Sequence, residues 1–264
     1  MEPMETEFSN RCVNRTTVHS PGVLYMSPAD TDLDFEQQIR EHFALLDRLF
    51  KEEEVMHKNG ICQAAFTFVT NNLKEHWEIV DRVRKEYWGD EKPTSTFIET
   101  ARRPDNRPWG NSAIAFEPVI YYNPLAVTDY YLETTDENRF PEAAYCHAKK
   151  VETDDSFELY FSGMCGVAGD PESETGIRIV ADTIYQQANT ALMYCRQLCE
   201  QAGVTHQHIH KVDIFYCQNY EPARIVEQAH YFFREARINV IPVTALFMPG
   251  VFVEIRPHAT IWKK

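Results

Sequence analysis

The chain has 264 residues, 44% of them hydrophobic, enough for two cores of ordinary size. Its 26 Lys and Arg against 40 Asp and Glu leave a formal net charge of -14, which repels a phosphate backbone and argues against nucleic acid as a partner. No apolar run reaches the roughly 18 residues of a membrane span, and the acidic opening MEPMETEFSN has neither the basic nor the apolar region of a secretion signal.

Residues 1–34 are mostly polar, and only VLYM, Val23 to Met26, reads as a strand. Phe35, Ile39, Phe43, Leu46 and Phe50 recur at helical spacing and predict a helix over 35–53. Ala64 to Val69, rich in aromatic and β-branched groups, reads as a strand. Asn71-Asn72 turns the chain into a second helix that ends near Trp88, with Gly89-Asp90 beyond it. STFIET is a strand, ARRPDNRPWGNS a loop, and AIAFEPVIYY another strand. AAYCHAKKV and FELYFSG follow as two strands joined by ETDD, and GDPESETG is a loop. A helix over 181–202 carries Ile184, Ala188, Ala191, Cys195 and Leu198 on one face and stops at Gly203. Cys195 and Cys199 lie on that apolar stripe as small hydrophobes. The seven cysteines form no disulfide framework, so reduced thiols in a cytoplasm are expected. Strand 209–217, a helix from Pro222 to Arg237, and strands 240–247 and 251–261 around Met248-Pro249-Gly250 close the chain.

The order helix, strand, helix, strand occurs twice. FEQQIREHFALLDRLFKEE, ICQAAFTFVTN and EIVDRVRKEYW return as IYQQANTALMYCRQLCEQAG, IHKVDIFYCQN and RIVEQAHYFF. Gln37, Gln38 and Asn71 match Gln186, Gln187 and Asn219. A repeat this long means two copies of one folded unit rather than a solenoid. The expected class is α+β, with units over 1–133 and 134–264, each a mixed sheet with two helices on one face. The other face carries Phe252, Tyr160 and Phe215 and needs a cover, either the other unit or another chain.

Alternation along 251–261 places Val251, Val253 and Ile255 on one side and Phe252, Glu254 and Arg256 on the other. Glu254 is then either half of an ion pair with Arg256 or a desolvated acid or base. Ser162-Gly163-Met164-Cys165-Gly166 ends a strand, as a plain turn or as a source of free N–H groups for a ligand. Cys165 beside it would need a basic partner to act as a nucleophile. His206, His208 and His210 alternate where a loop enters a strand and read as exposed rather than as metal ligands. No HExxH, CxxC, glycine-rich phosphate loop or GxSxG is present, so nothing calls for a metal, nucleotide or other cofactor.

The landmarks AAYCHA, LYFSGMCG, IYQQANTAL, VDIFYCQN and VTALFMPGVFVEIRPHAT resemble the Rid (YjgF/UK114) family over about residues 140–262. DFEQQIREHFALLDRL, AAFTFVTN and PTSTFIETA resemble it again in the first half. The resemblance implies chorismate-mutase-like units, threefold packing into a homotrimer, and a small-molecule substrate in an inter-subunit cleft. It implies hydrolysis of an enamine or imine, with Tyr145 and Gly163 in the cleft and Glu254 positioning water. The arginine that binds substrate carboxylate in that family falls on Asn239, which carries no charge; Arg237 lies two residues earlier. In the first half Ser95 is nearest the same position, and Ala115 stands where the closing glutamate would fall. Two-unit relatives include chorismatase-like proteins, which hydrolyse chorismate and release pyruvate; Arg224, Arg234 and Arg237 are the basic groups available for that ligand. A fold kept for binding or scaffolding without turnover is the remaining alternative.

Overall fold

The protein is described from a computed structural model covering residues 9–13, 16–20, 24–25, 33–52, 61–68, 73–100, 114–122, 124–133, 143–173 and 175–263. The loop over 101–112 and the Asn71-Asn72 turn lie outside the described residues. In chain order the first half holds β1 (Ser9–Val13), β2 (Thr16–Ser20), β3 (Leu24–Tyr25), α1 (Phe35–Glu52), β4 (Ile61–Phe68), α2 (Leu73–Trp88), β5 (Thr94–Glu99) and β6 (Ile114–Tyr122). Then come β7 (Ala126–Tyr130), β8 (Ala148–Glu152), β9 (Ser156–Phe161), β10 (Met164–Cys165), β11 (Val167–Gly169) and β12 (Ile177–Ile179). The chain ends with α3 (Ile184–Gln201), β13 (Ile209–Cys217), α4 (Ala223–Phe232), β14 (Arg237–Val243), β15 (Ala245–Leu246) and β16 (Val253–Trp262).

The strands build two mixed, seven-stranded sheets, and β11 pairs with β12 in a two-stranded one. The first runs β1-β2-β6-β4-β5-β15, with β3 on β6. The second, taken from its β7 end, runs β7-β8-β9-β16-β13-β14, with β10 on β16. Thus β1-β2-β6-β4-β5 corresponds to β8-β9-β16-β13-β14. The parallel pair β4/β5 is matched by the parallel pair β13/β14. Even the register shift recurs: Ile61/Gln63 on β4 and Ile209/Lys211 on β13, each against its antiparallel neighbour.

Two helices cover one face of each sheet. Ile39, Phe43 and Leu46 of α1 and Val80, Val83 and Trp88 of α2 form a core with Phe97, Ile114, Phe116 and Ile120. In the second half Ile184, Ala188, Ala191, Leu192, Cys195 and Leu198 of α3 pack on Ile214, Val253 and Ile255. Cys195 and Cys199 are buried there, and burial pushes both thiols up, away from the reactive thiolate. Among the described residues no helix is long and apolar enough to cross a membrane.

The other faces of the two sheets meet each other. Ile98 of β5 packs with Cys165, Phe215, Val243, Leu246 and Val251. Tyr121 and Tyr160 bring their hydroxyls to 2.7 Å across the same interface. Tyr160 and Phe215, expected on a face in need of cover, are therefore buried within the chain.

Four expectations are corrected. The N-terminal stretch holds the hairpin β1–β2 as well as β3, because its weakly apolar strands are completed by distant β6. The helix expected up to Arg237 ends at Phe232, since Phe233 turns into the core and Arg237 must begin β14 opposite Lys211. The strand expected over 240–247 is split into β14 and β15, and β15 leaves its own sheet to pair with β5. Strict alternation starts at Val253 rather than Val251, so Phe252 packs toward Tyr220 and the α3 core instead of toward Glu254's side.

The shared glutamine of the repeat has a structural role in the second half. Gln187 is fully buried, donates to Ala181 O at 3.0 Å and Gly250 O at 2.8 Å, and accepts from Phe252 N at 2.9 Å. It ties the start of α3 to the turn before β16. Gln187→Leu keeps the volume and strands these groups, so we expect a loss of about 3 kcal/mol, read as a lower urea midpoint with unchanged slope.

Candidate functional site

A small cleft, partly open to solvent, is lined by Trp77, Ser95, Phe97, Tyr145, Gly163, Phe247 and Glu254. Both halves supply it: α2 and β5 give the first three residues, and the second half gives the rest. The cleft residues that the resemblance implied, Tyr145, Gly163 and Glu254, all belong to the second half. The cleft is shared because the free edge of β5 is closed by second-half segments.

That closure is a seam of hydrogen bonds. Gly163 N donates to Ser95 O at 2.8 Å, and Cys146 N to Pro93 O at 3.0 Å. The buried Ser162 hydroxyl accepts from Ser95 N at 2.8 Å and donates to Cys146 O at 2.6 Å. The Gly163 N–H is therefore committed to the seam and not free for a ligand. Glycine is needed for another reason: a Cβ here would overlap Oε1 and Cδ of Glu254.

Glu254 lies on β16 between Phe215 of β13 and Cys165 of β10, and is 2% exposed. Cys165 Sγ donates to its Oε2 at 3.7 Å. Its Oε1 has no well-formed hydrogen bond among the described residues. Burial pushes the carboxyl up to about 8, against the opposing pull of Arg256 and the Cys165 contact. Arg256 gives its ion pair to Asp213, at 2.9 Å, and not to Glu254. Burial thus favours the neutral acid over the carboxylate at Glu254. Burial beside this acid also drives the Cys165 thiol up, so it keeps its proton, donates a hydrogen bond to Glu254 and is a poor nucleophile.

Tyr145 precedes β8 and faces Glu254 across the cleft; burial raises its hydroxyl pKa, with Arg84 pulling the other way. Trp77 meets Phe97 edge-on at 4.9 Å and Phe247 at 5.5 Å, giving aromatic walls. Asn239 and Arg237 are elsewhere, on β14. Asn239 donates to Asp213 at 2.8 Å, beside Lys211 and Arg256, and Arg237 is exposed. His206 and His210 are exposed, and among the described residues no group of three His, Cys, Asp or Glu lies close enough to hold a metal ion.

Arg84 is the charged group that the motif reading passed over. It is 0% exposed, and its guanidinium bonds Ser95 Oγ at 2.5 Å and Asp81 at 3.0 Å. It lies 4.4 Å from the Phe97 ring centre and 5.5 Å from those of Trp77 and Tyr145. A signal existed: Arg84 sits on the apolar stripe of α2, two turns after Trp77 and one before Trp88.

No protein-family model matches the chain, and no curated protein does. Among solved structures, a chorismatase matches 97% of this chain and 78% of its own, with TM-score 0.67 and 10% identity. A YjgF/YER057c/UK114 family member from Mycobacterium tuberculosis matches 52% of this chain and all of its own, 100%, at TM-score 0.37 and 21% identity. A Rid-family protein of unknown function from Yersinia pestis matches 52% and 100%, at TM-score 0.39 and 24% identity. The likeness to the chorismatase, which spans nearly the whole chain, is one of fold.

Two outcomes follow from the packing of Glu254. Gly163→Ala should destabilise by about 3 kcal/mol, and adding Glu254→Ala should recover part of that loss; additive melting shifts would break the link. The folded chain also keeps a proton on Glu254 that the unfolded chain sheds above the ordinary carboxylate range. That contribution is fully present in acid and is lost as pH rises through about 8. Urea midpoints for wild type and E254Q between about pH 5 and about pH 9 should show the decline flattened in the variant.

Proposed function

We propose that the cleft hydrolyses a small unsaturated carboxylic acid, an enol ether or an enamine, with Glu254 as proton donor. On this reading the two sheets are two Rid-type units, 1–133 and 134–264, closed on each other. The observation that carries it is the buried carboxyl of Glu254, facing an aromatic cleft and pushed up by that burial. A carboxyl ionised at pH 7 would suit the positioning of water; one held protonated suits delivery of a proton to an electron-rich carbon.

The steps follow from the groups present. Glu254 passes its proton to the terminal carbon of the C=C bond. Positive charge develops on the carbon that bears oxygen or nitrogen, in front of the Trp77 and Tyr145 rings. Water adds to that carbon, and its proton goes to the Glu254 carboxylate. The adduct then collapses, with the leaving alcohol or amine taking a proton and a keto acid remaining. The solved chorismatase belongs to the enol-ether side of this chemistry by its name. Binding without turnover is the second reading, supported by the absence of an exposed cation among the residues lining the cleft.

The two are separated by one assay. The chain is incubated with chorismate, and separately with an amino-acid-derived enamine generated in situ, while keto-acid release is followed. Turnover should fall as pH rises through about 8, and E254Q should lower kcat by about 10²-fold or more with little change in KM. Release no faster than buffer on both substrates leaves the binding reading.

A further inference from the structure

The buried imidazole of His147 touches the cleft through Tyr145. It sits two residues after Tyr145, in a stretch that stays irregular until β8 begins at Ala148. The path of this stretch depends on single bonds. Cys146 N donates to Pro93 O at 3.0 Å, His147 N to Tyr130 O at 3.1 Å, and Ser162 N to His147 O at 2.9 Å. These bonds hold the backbone, but not the rings that project from it.

The imidazole has an anchor of its own. Leu132 N donates to His147 Nδ1 at 2.9 Å, and the Leu132 side chain is buried in the core that α3 covers. A backbone N–H can only donate, so Nδ1 is the acceptor and the neutral ring carries its hydrogen on Nε2. Burial supports that form, pushing the imidazole pKa down to about 4. The same bond fixes the orientation of the ring, because a flip would set carbon against the buried Leu132 N–H and strand it. Held in this way, the ring meets Tyr145 edge-to-face at 6.0 Å and 75°, and Tyr131 at 5.9 Å and 73°. Tyr145 in turn lines the cleft with Glu254.

We propose that His147 is a positioning residue of the cleft: held by Leu132, its ring sets the orientation of Tyr145 opposite Glu254. The link runs from the chain leaving β7, through the imidazole, to the ring in front of which charge develops. A ring locked at its base keeps that orientation without a ligand, so less is left to order when one binds. The proposal rests on the cleft assigned above and adds one residue behind it.

The test has a structural arm and a kinetic arm, so that it stands apart from turnover. Asparagine places an oxygen acceptor near the site of Nδ1, whereas glutamine places one near Nε2. Nitrogen NMR of the full chain at about pH 7, read by difference from His147→Asn, should show hydrogen on Nε2 of His147 and none on Nδ1. Crystal structures should find the Tyr145 ring in its wild-type place in His147→Asn and turned out of it in His147→Gln. On whichever of chorismate or the enamine is turned over, His147→Gln should lower kcat by about tenfold or more with KM within about twofold, and His147→Asn should recover most of that loss. If His147→Gln fails to fold by circular dichroism, His147→Ser takes its place beside the wild-type nitrogen spectrum. Hydrogen on Nδ1, a Tyr145 ring unmoved in His147→Gln, or equal damage in the Asn and Gln variants each overturns the proposal. A chain in which Tyr145 moves as stated and neither substrate is turned over would sink the hydrolase reading and leave this one standing.

Discussion

The structure depends on how the edge of β5 is closed. A strand edge presents N–H and C=O groups that must find partners once buried. Here Ser162, Gly163 and Cys146 supply them from the other half. The seam sets Ser95, Phe97 and Trp77 opposite Tyr145 and Glu254. It also leaves room for Glu254 only where Gly163 has no side chain. Seam, glycine and acid are one constraint, because altering any of them strands polar groups or overfills the space.

Two buried charges are managed differently on the two sides of that seam. Arg84 stays paired, through Asp81 and Ser95, because a guanidinium cannot shed its proton in a protein. Glu254 can change its charge state, and burial drives it to the neutral one. Asp213 matters indirectly: it draws in Arg256, Lys211 and Asn239, and so withholds from Glu254 the cation two residues along its own strand. Burial raises the acid of the cleft even though Arg256, engaged with Asp213, still pulls the other way.

Much of the architecture was legible in local patterns. The repeated glutamines are read directly from the sequence, and the helix stripes follow from periodicity, as does Glu254 pointing away from Val253 and Ile255. The burial of Cys195 and the exposure of His206 and His210 follow from the side of the element each occupies. Other features were not legible. The β1–β2 hairpin has weak strand character and is completed by β6, far along the chain. Asn239 was matched to a binding position by the resemblance, but its side chain is turned to Asp213.

The sequence by itself determined the α+β class, the order of the four helices and the main strands, and the buried stripe of the helices. Those properties are encoded at separations of two to four residues, where chain geometry leaves little choice. Only the tertiary structure decided what covers each buried face. It sent β15 from the second half to the first sheet, through Ala245 and Glu99, and it placed Gly163 on Ser95. It also brought Arg84 of one half beneath the cleft that Tyr145 and Glu254 of the other half complete. Periodicity states that a face must be hidden, but the partner that hides it is chosen by pairing across long stretches of chain. The cleft is made of such pairings.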